Sequence, residues 1–191
     1  NAIKFLGYKS KISNHPDDIM NASHLILPGV GSYINAINKV KLNLPIKIIK
    51  EVVFKKKIPF LGICVGMQIL SEYGFEFNKT NGLNWIPGSV NKILVKKNRL
   101  PHIGWNKIKV KNQIPIMNGL NEKYFYFVHS FAFKPQLKRN IVSITEYEKK
   151  FASIISHENI YGVQFHPEKS QINGLQFLDN FINFGDKFEK N

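Results

Sequence analysis

The sequence predicts an α/β domain, and three observations predict it. Short apolar runs alternate with longer amphipathic stretches through the first half of the chain, the pattern of strand–helix units. From residue 83 to residue 163 the runs shorten and are punctuated by Gly and Pro, which predicts a β-rich second half. Hydrophobic residues make up 43% and charged residues 21%, the balance of a folded globular protein rather than a disordered one. At 191 residues the prior is a single domain, 1–191, with enough chain to bury a core.

The elements follow in order. Asn1-Ala2-Ile3-Lys4-Phe5-Leu6-Gly7 reads as the end of a helix closed by a glycine cap. His24-Leu25-Ile26-Leu27 is a short buried strand that stops at Pro28-Gly29-Val30-Gly31. Residues 32–56 are helical in one or two pieces, with Pro45 at the N-terminus of the second. Ile58-Pro59-Phe60-Leu61-Gly62-Ile63 is a second buried strand, and residues 65–72 follow as a helix with Met67, Ile69 and Leu70 inward. Strand-like runs then lie at 90–95, 108–110, 124–128, 141–145, 151–156 and 160–165. Residues 174–184 form a last amphipathic helix.

Composition also excludes some function classes. No stretch approaches the ~20 apolar residues of a membrane helix. A single Cys excludes an internal disulfide, and no signal peptide opens the sequence, so the cytoplasm is the predicted location. The net charge of +14 raises nucleic acid as a partner. Two facts argue against it: only Arg99 and Arg139 are arginines, and the lysines are dispersed. Docking on an acidic protein partner uses such charge better. No metal site is predicted, because no His, Cys and carboxylate group has ligand spacing.

Gly62-Ile63-Cys64-Val65-Gly66 is a G-x-C-x-G at a strand-to-helix junction. A nucleophile on such an elbow sits in a tight turn, and its neighbours must be Gly where chain and helix approach closely. A helix N-terminus beneath the sulfur favours thiolate, and the Val65 N–H is free to stabilise an oxyanion. A lone Cys is also commonly a small buried hydrophobe, so the elbow alone leaves both readings open. It needs a base. His166 stands at a strand end with Glu168 two positions on, where a carboxylate can orient one ring nitrogen and leave the other for a nucleophile. A surface turn of no consequence is the other reading of His166-Pro167-Glu168.

Leu61-Gly62-Ile63-Cys64-Val65-Gly66-Met67-Gln68, together with Gly162-Val163-Gln164-Phe165-His166-Pro167-Glu168-Lys169-Ser170, resembles the class I (triad-type) glutamine amidotransferases. Leu100-Pro101-His102-Ile103-Gly104-Trp105-Asn106, Tyr126-Phe127-Val128-His129-Ser130 and Leu27-Pro28-Gly29-Val30-Gly31 are similar to the glutaminase subunit of imidazole glycerol phosphate synthase. The resemblance implies a central mixed, mostly parallel sheet flanked by helices. It implies Cys64 as nucleophile, His166 as base and Glu168 as its orienter. Backbone N–H groups of Val65 and of the Gly29, Val30 and Gly31 loop would hold the oxyanion, with Gly31 beside the substrate. Gln68 and Glu76 would face glutamine, and His129, Ser130 and Phe131 would present backbone to its α-carboxylate.

The same resemblance implies no cofactor and a (β/α)8-barrel synthase partner that receives ammonia through a tunnel. Pro101, His102, Trp105 and Asn106 would meet that partner in an exposed Pro/Gly turn, with Tyr126 near the tunnel mouth. The family's first strand and glycine-containing loop have no counterpart here, which implies that the domain lacks its N-terminal strand. Asn84 and Trp85 depart from the histidine-pathway pattern, so a related protein of surface-sugar biosynthesis is the alternative. A catalytically silent binding subunit is a further alternative, against which the intact Cys64, His166 and Glu168 argue.

Overall fold

The computed structural model describes residues 1–185. Helix α1 (Ala2–Phe5) ends at Gly7, whose φ of 87° supplies the left-handed turn expected of a glycine cap. In α2 (Pro16–Met20), Pro16 opens the helix and Asp17 and Asp18 face its N-terminal dipole. Strand β1 (Leu25–Gly29) runs into α3 (Tyr33–Asn43), whose N-cap Ser32 accepts from the Asn35 N–H. Tyr33, Ile37 and Val40 make its buried stripe. Pro45 caps α4 (Ile46–Lys50), which continues as a π-helical turn to Lys55. Strand β2 (Phe60–Cys64) leads directly into α5 (Val65–Gln68).

The β-rich half follows. It comprises β3 (Tyr73–Phe75), β4 (Lys79–Asn81), β5 (Gly88–Lys92), β6 (His102–Lys107) and β7 (Lys109–Val110). Then come β8 (Tyr124–His129), β9 (Phe131–Pro135), β10 (Ile141–Tyr147), β11 (Lys149–His157) and β12 (Ile160–Val163). Helix α6 (Gln171–Gly185) ends the described chain.

The main sheet has the order β1-β2-β12-β11-β10-β7. Its mixed character is as expected, but parallel pairing is confined to β1–β2 and β2–β12; the other three pairs are antiparallel. Strands β2 and β12 are buried along their whole length, which is why both read as unbroken apolar runs. A four-stranded sheet, β4-β3-β5-β9, and a two-stranded ribbon, β6-β8, carry the rest.

Two sequence expectations are corrected. The helix expected over residues 65–72 stops at Gln68. The carbonyls that would extend it are taken from outside: Ile69 by the Leu83 N–H, Leu70 by those of Trp85 and Ile86, Ser71 by that of Asn84. The segment 100–106, expected as a turn, is largely strand β6, paired with β8 from His102–His129 to Lys107–Tyr124. Gly104 with φ of 129° lies inside that strand instead of at a turn.

Candidate active site

The sheet brings together the parts that the motifs predict. Cys64 ends β2 and has φ 54° and ψ −110°, a region that non-glycine residues avoid and that costs about 1–3 kcal/mol to hold. Three glycines make room for the turn. A Cβ on Gly66 would lie 2.0 Å from the Leu27 oxygen, one on Gly62 would lie 2.6 Å from the Gly66 oxygen, and one on Gly29 would lie 2.6 Å from the Gly66 nitrogen. The clashing atoms are all backbone, so none can swing aside. The expected close approach is therefore real, and it involves β1 as well as the elbow.

Helix α5 is a single turn, so its macrodipole is weaker than the longer helix would have given. The first N–H groups of that turn remain without intrahelical partners, Val65 among them. Gly29 lies opposite Cys64 in the β1–β2 register. Val30 beyond it is 81% exposed, and Gly31 has φ of 93°. The loop thus starts at the elbow and opens outward.

Cys64 is buried. Its Sγ lies 4.0 Å from the Val128 carbonyl and 3.7 Å from Nε2 of Gln164. His166 follows β12 and opens a 3-10 turn over Pro167–Lys169. Two bonds pin its backbone, and a third ties the Ser170 hydroxyl back to β8. The His166 N–H donates to the Tyr126 carbonyl at 2.9 Å; the Ser170 hydroxyl donates to the His166 carbonyl at 2.6 Å and accepts from the Tyr126 N–H at 3.0 Å. The ring Nδ1 lies 2.7 Å from Oε1 of Glu168. The ring Nε2 is buried and has no hydrogen-bond partner, leaving it open for a proton exchanged with another group.

Burial alone would lower the pKa of His166. The neighbouring Cys64 and Glu168 outweigh it and raise the value to about 9. Burial would raise Glu168 in turn, but its hydrogen bond with His166 holds it below the usual carboxylate range. The pair therefore favours imidazolium beside carboxylate.

The remaining candidates fall into two groups. Gln68 is buried, and its Nε2 donates to the Phe131 carbonyl at 2.9 Å and to Oε1 of Gln164 at 3.1 Å. Glu76 accepts the Tyr33 N–H at 2.5 Å, at the start of α3 just beyond the Gly31 loop. The Ser130 carbonyl accepts the Ile93 N–H at 2.9 Å. Ring Nδ1 of His129 lies 2.9 Å from the Phe131 carbonyl, so 129–131 is a knot of polar contacts at the join of β8 and β9.

The surface group needs correction. The resemblance puts His102 on an exposed turn that meets a partner. It is only 3% exposed, stacked between Tyr147 at 4.0 Å and Phe127 at 5.1 Å, with Nδ1 3.1 Å from Nε2 of His129. On β6 the apolar Ile103 and Trp105 point outward instead, at 59% and 45% exposure. Pro101 is exposed, and the Trp105 ring meets Tyr126 edge-on at 6.0 Å. Asn106 is half-buried and its amide donates to the Glu146 carbonyl at 3.0 Å.

Gln164 is a site residue that the sequence reading missed. A glutamine between Val163 and Phe165 in a buried run is the signal that would have found it, because a polar side chain there needs a partner. Among the described residues, no cluster of three or more His, Cys, Asp or Glu could hold a metal ion. No helix among them is long and apolar enough to cross a membrane.

A parallel-centred sheet with cysteine on a glycine-locked elbow and a histidine–glutamate pair at the next strand end defines a class, and the comparisons agree. The chain matches the glutamine amidotransferase class-I family over residues 2–184, and it belongs to that family. The particular relatives are imidazole glycerol phosphate synthase subunits HisH. The one from Caldanaerobacter subterraneus subsp. tengcongensis is 41% identical over 94% of this chain and 88% of its own length. A second, from Methanococcus maripaludis, is 42% identical over 95% of this chain and 91% of its own. Among solved structures, a glutamine amidotransferase crystal structure aligns with a TM-score of 0.74 at 15% identity, covering 97% of this chain and 90% of that one. A glutamine amidotransferase from Thermotoga maritima aligns with 0.58 at 20%, covering 97% and 71%. At those identities the two structures speak for the fold.

Proposed function

We propose that this chain is the glutaminase subunit of an imidazole glycerol phosphate synthase, working in the cytoplasm in histidine biosynthesis. The observation that carries the chemistry is the buried His166 ring, held at Nδ1 by the exposed Glu168 and with Nε2 unpartnered beside Cys64. The pathway rests on the likeness to HisH subunits over more than nine-tenths of the chain.

In this reading Cys64 Sγ attacks the side-chain carbonyl carbon of L-glutamine. Its proton has passed to Nε2 of His166 before the attack, the state that the raised pKa of that ring favours, and Glu168 stabilises the imidazolium. The oxyanion is held by the Val65 N–H and by a backbone N–H from Gly29, Val30 or Gly31. Collapse breaks the C–N bond; His166 returns its proton to the leaving nitrogen, and ammonia departs from a γ-glutamyl thioester. Water, deprotonated by His166, then attacks the thioester and yields glutamate and free thiol. Gln68 and Glu76 line the glutamine site, and His129, Ser130 and Phe131 present backbone to the α-carboxylate. Glu76 gives up its bond to the Tyr33 N–H, or shares it, when an ammonium group arrives. No cofactor is needed.

Ammonia then passes to a (β/α)8-barrel synthase partner. The outward face of β6, with Trp105 beside Tyr126 and flanked by Pro101 and Asn106, is the surface offered to it. A half-exposed tryptophan among strand side chains is a fitting interface anchor.

The test is glutamate release by the full chain with and without its barrel partner. Cys64→Ala and Cys64→Ser are expected to abolish release, and activity surviving Cys64→Ala sinks the mechanism. Cyclisation of the histidine-pathway acceptor by the pair supports the pathway; amidation of a sugar acceptor instead moves it to surface-sugar biosynthesis. Trp105→Ala is expected to weaken binding of the barrel partner at least tenfold by titration calorimetry, and unchanged affinity places the interface elsewhere.

A further inference from the structure

We infer that His102 and His129 form a positioning relay that runs from Asn106 on β6 to the Cys64 thiol by way of Phe131, Gln68 and Gln164. The inference rests on the proposal that Cys64 is the nucleophile. It gives a role to two buried histidines that the reaction itself leaves unused.

The hydrogen-bond directions follow from one group that can only accept. The Phe131 carbonyl lies 2.9 Å from Nδ1 of His129 and 2.9 Å from Nε2 of Gln68. Both nitrogens must donate, and together they fill the two lone pairs of that oxygen. A neutral imidazole carries one proton, so His129 Nε2 is an acceptor. Nδ1 of His102, 3.1 Å away, therefore donates to it. His102 Nε2 is then bare, and it faces the Asn106 amide nitrogen at 3.4 Å.

The other arm is fixed by the same logic. Gln68 has a second amide proton, and it goes to Oε1 of Gln164 at 3.1 Å. That contact sets which way the Gln164 amide faces. Its Nε2 is turned to Cys64 Sγ at 3.7 Å. The flipped amide would set donor against donor at Gln68 and an oxygen lone pair against the sulfur.

Burial keeps the chain in one state. His102 is pushed down to about 4 by burial. His129 is pushed down to about 3, chiefly by burial and only partly offset by the Phe131 carbonyl. Both rings are neutral at physiological pH, which the one-proton argument requires. Gln68, His102, His129 and Gln164 are all buried, so water does not replace a lost link. The stacking of His102 between Tyr147 and Phe127 blocks rotation of its ring. Asn106 lies next to Trp105 on the outward strand, so a shift of that surface is carried inward to the sulfur.

Because Cys64 is the only cysteine of the chain, alkylation by iodoacetamide reads its sulfur alone. His102→Leu is expected to slow alkylation at pH 7 by about tenfold, as the donor at Sγ loses its orientation. His102→Asn places an amide N–H where Nδ1 was and is expected to return the rate to within about threefold. Gln164→Leu should match His102→Leu, and the double variant should be no slower than Gln164→Leu alone.

A folded His102→Leu protein that alkylates at the unsubstituted rate overturns the relay, and so does a double variant slowed by the product of the single effects. Failure of His102→Asn to recover the rate overturns it too, since bulk packing alone would then explain the loss. Should His102→Leu not fold, Asn106→Leu and Gln164→Leu carry the same cycle: non-additive slowing supports the relay, and additive slowing overturns it. Glutamate release that survives Cys64→Ala removes the nucleophile reading beneath the relay, and that failure shows before any relay residue is substituted.

Discussion

Two histidine sites lie in one core, and they carry opposite charge states. His166, at the end of β12, and the His102–His129 pair, between β6 and β8, are all nearly sealed from water, at 3%, 3% and 6% exposure. Burial pulls all three pKa values down. Yet His166 stands at about 9, and His102 and His129 at about 4 and about 3. The difference is the company each keeps. His166 has a carboxylate 2.7 Å from Nδ1 and a thiol on its other side. The pair has a carbonyl, an amide and each other. Neighbouring charge, not depth, decides which imidazole can take part in proton transfer. The neutral pair is suited to holding geometry and the charged site to moving a proton.

The most severe break of this contrast removes the proton carrier. His166→Ala is expected to lower glutamine turnover about a thousandfold or more, measured as glutamate released in the presence of the proposed barrel partner. Turnover within tenfold of normal would assign the base elsewhere. Glu168→Gln makes His166 resemble the other site, since burial then acts with less opposition. We expect its pKa to fall from about 9 and turnover at pH 7 to drop about 10- to 100-fold. A His166 that still titrates near 9 in this variant would mean that Cys64 alone sustains the shift.

A gentler comparison leaves the chain intact. In an NMR titration of the six histidines, His166 should change near pH 9. His102 should stay neutral to about 4 and His129 to about 3. Either of the pair titrating near the ordinary ~6.5 would break the contrast.

The smallest effect is on stability. The folded value of His166 lies above the ~6.5 of an unfolded chain. Its contribution is complete below that pH and is lost as pH rises through about 9. The folded values of His102 and His129 lie below the unfolded one. Their contribution is complete above ~6.5 and is lost as pH falls toward about 4 and about 3. Urea midpoints should therefore fall on both flanks. His166→Gln should flatten the alkaline flank, and His102→Asn the acid one.

The parts of the site made by adjacent residues were legible in the sequence. Gly62, Cys64 and Gly66 declare an elbow because each answers a constraint set a few residues away, and His166 and Glu168 meet within one turn. The main-sheet strands β2 and β12 announced themselves as apolar runs. Strand β6 did not. Its outward residues are Ile103 and Trp105 and its inward one is His102, which inverts the usual pattern, and Pro101 and Gly104 disguise it as a turn. The short α5 was hidden too, because segment 83–86, not any residue of its own, supplies the competing donors. Gln164 needs Gln68 and Cys64, 96 and 100 positions away, and such partners appear only once the chain has folded.

The three glycines around Cys64 also bear on how such a chain can change over generations. A methyl added at any one of them meets backbone that another segment contributes: Leu27 from Gly66, and Gly66 from both Gly62 and Gly29. No single replacement opens space for the next, so no sequence of individually tolerated steps leads away from the trio. The outer face of β6 meets no such backbone, so what limits replacement there is the partner it meets, while the elbow is kept whole or lost whole. The crowded turn admits glycine alone at three positions, and the exposed strand sets no such steric limit on its side chains.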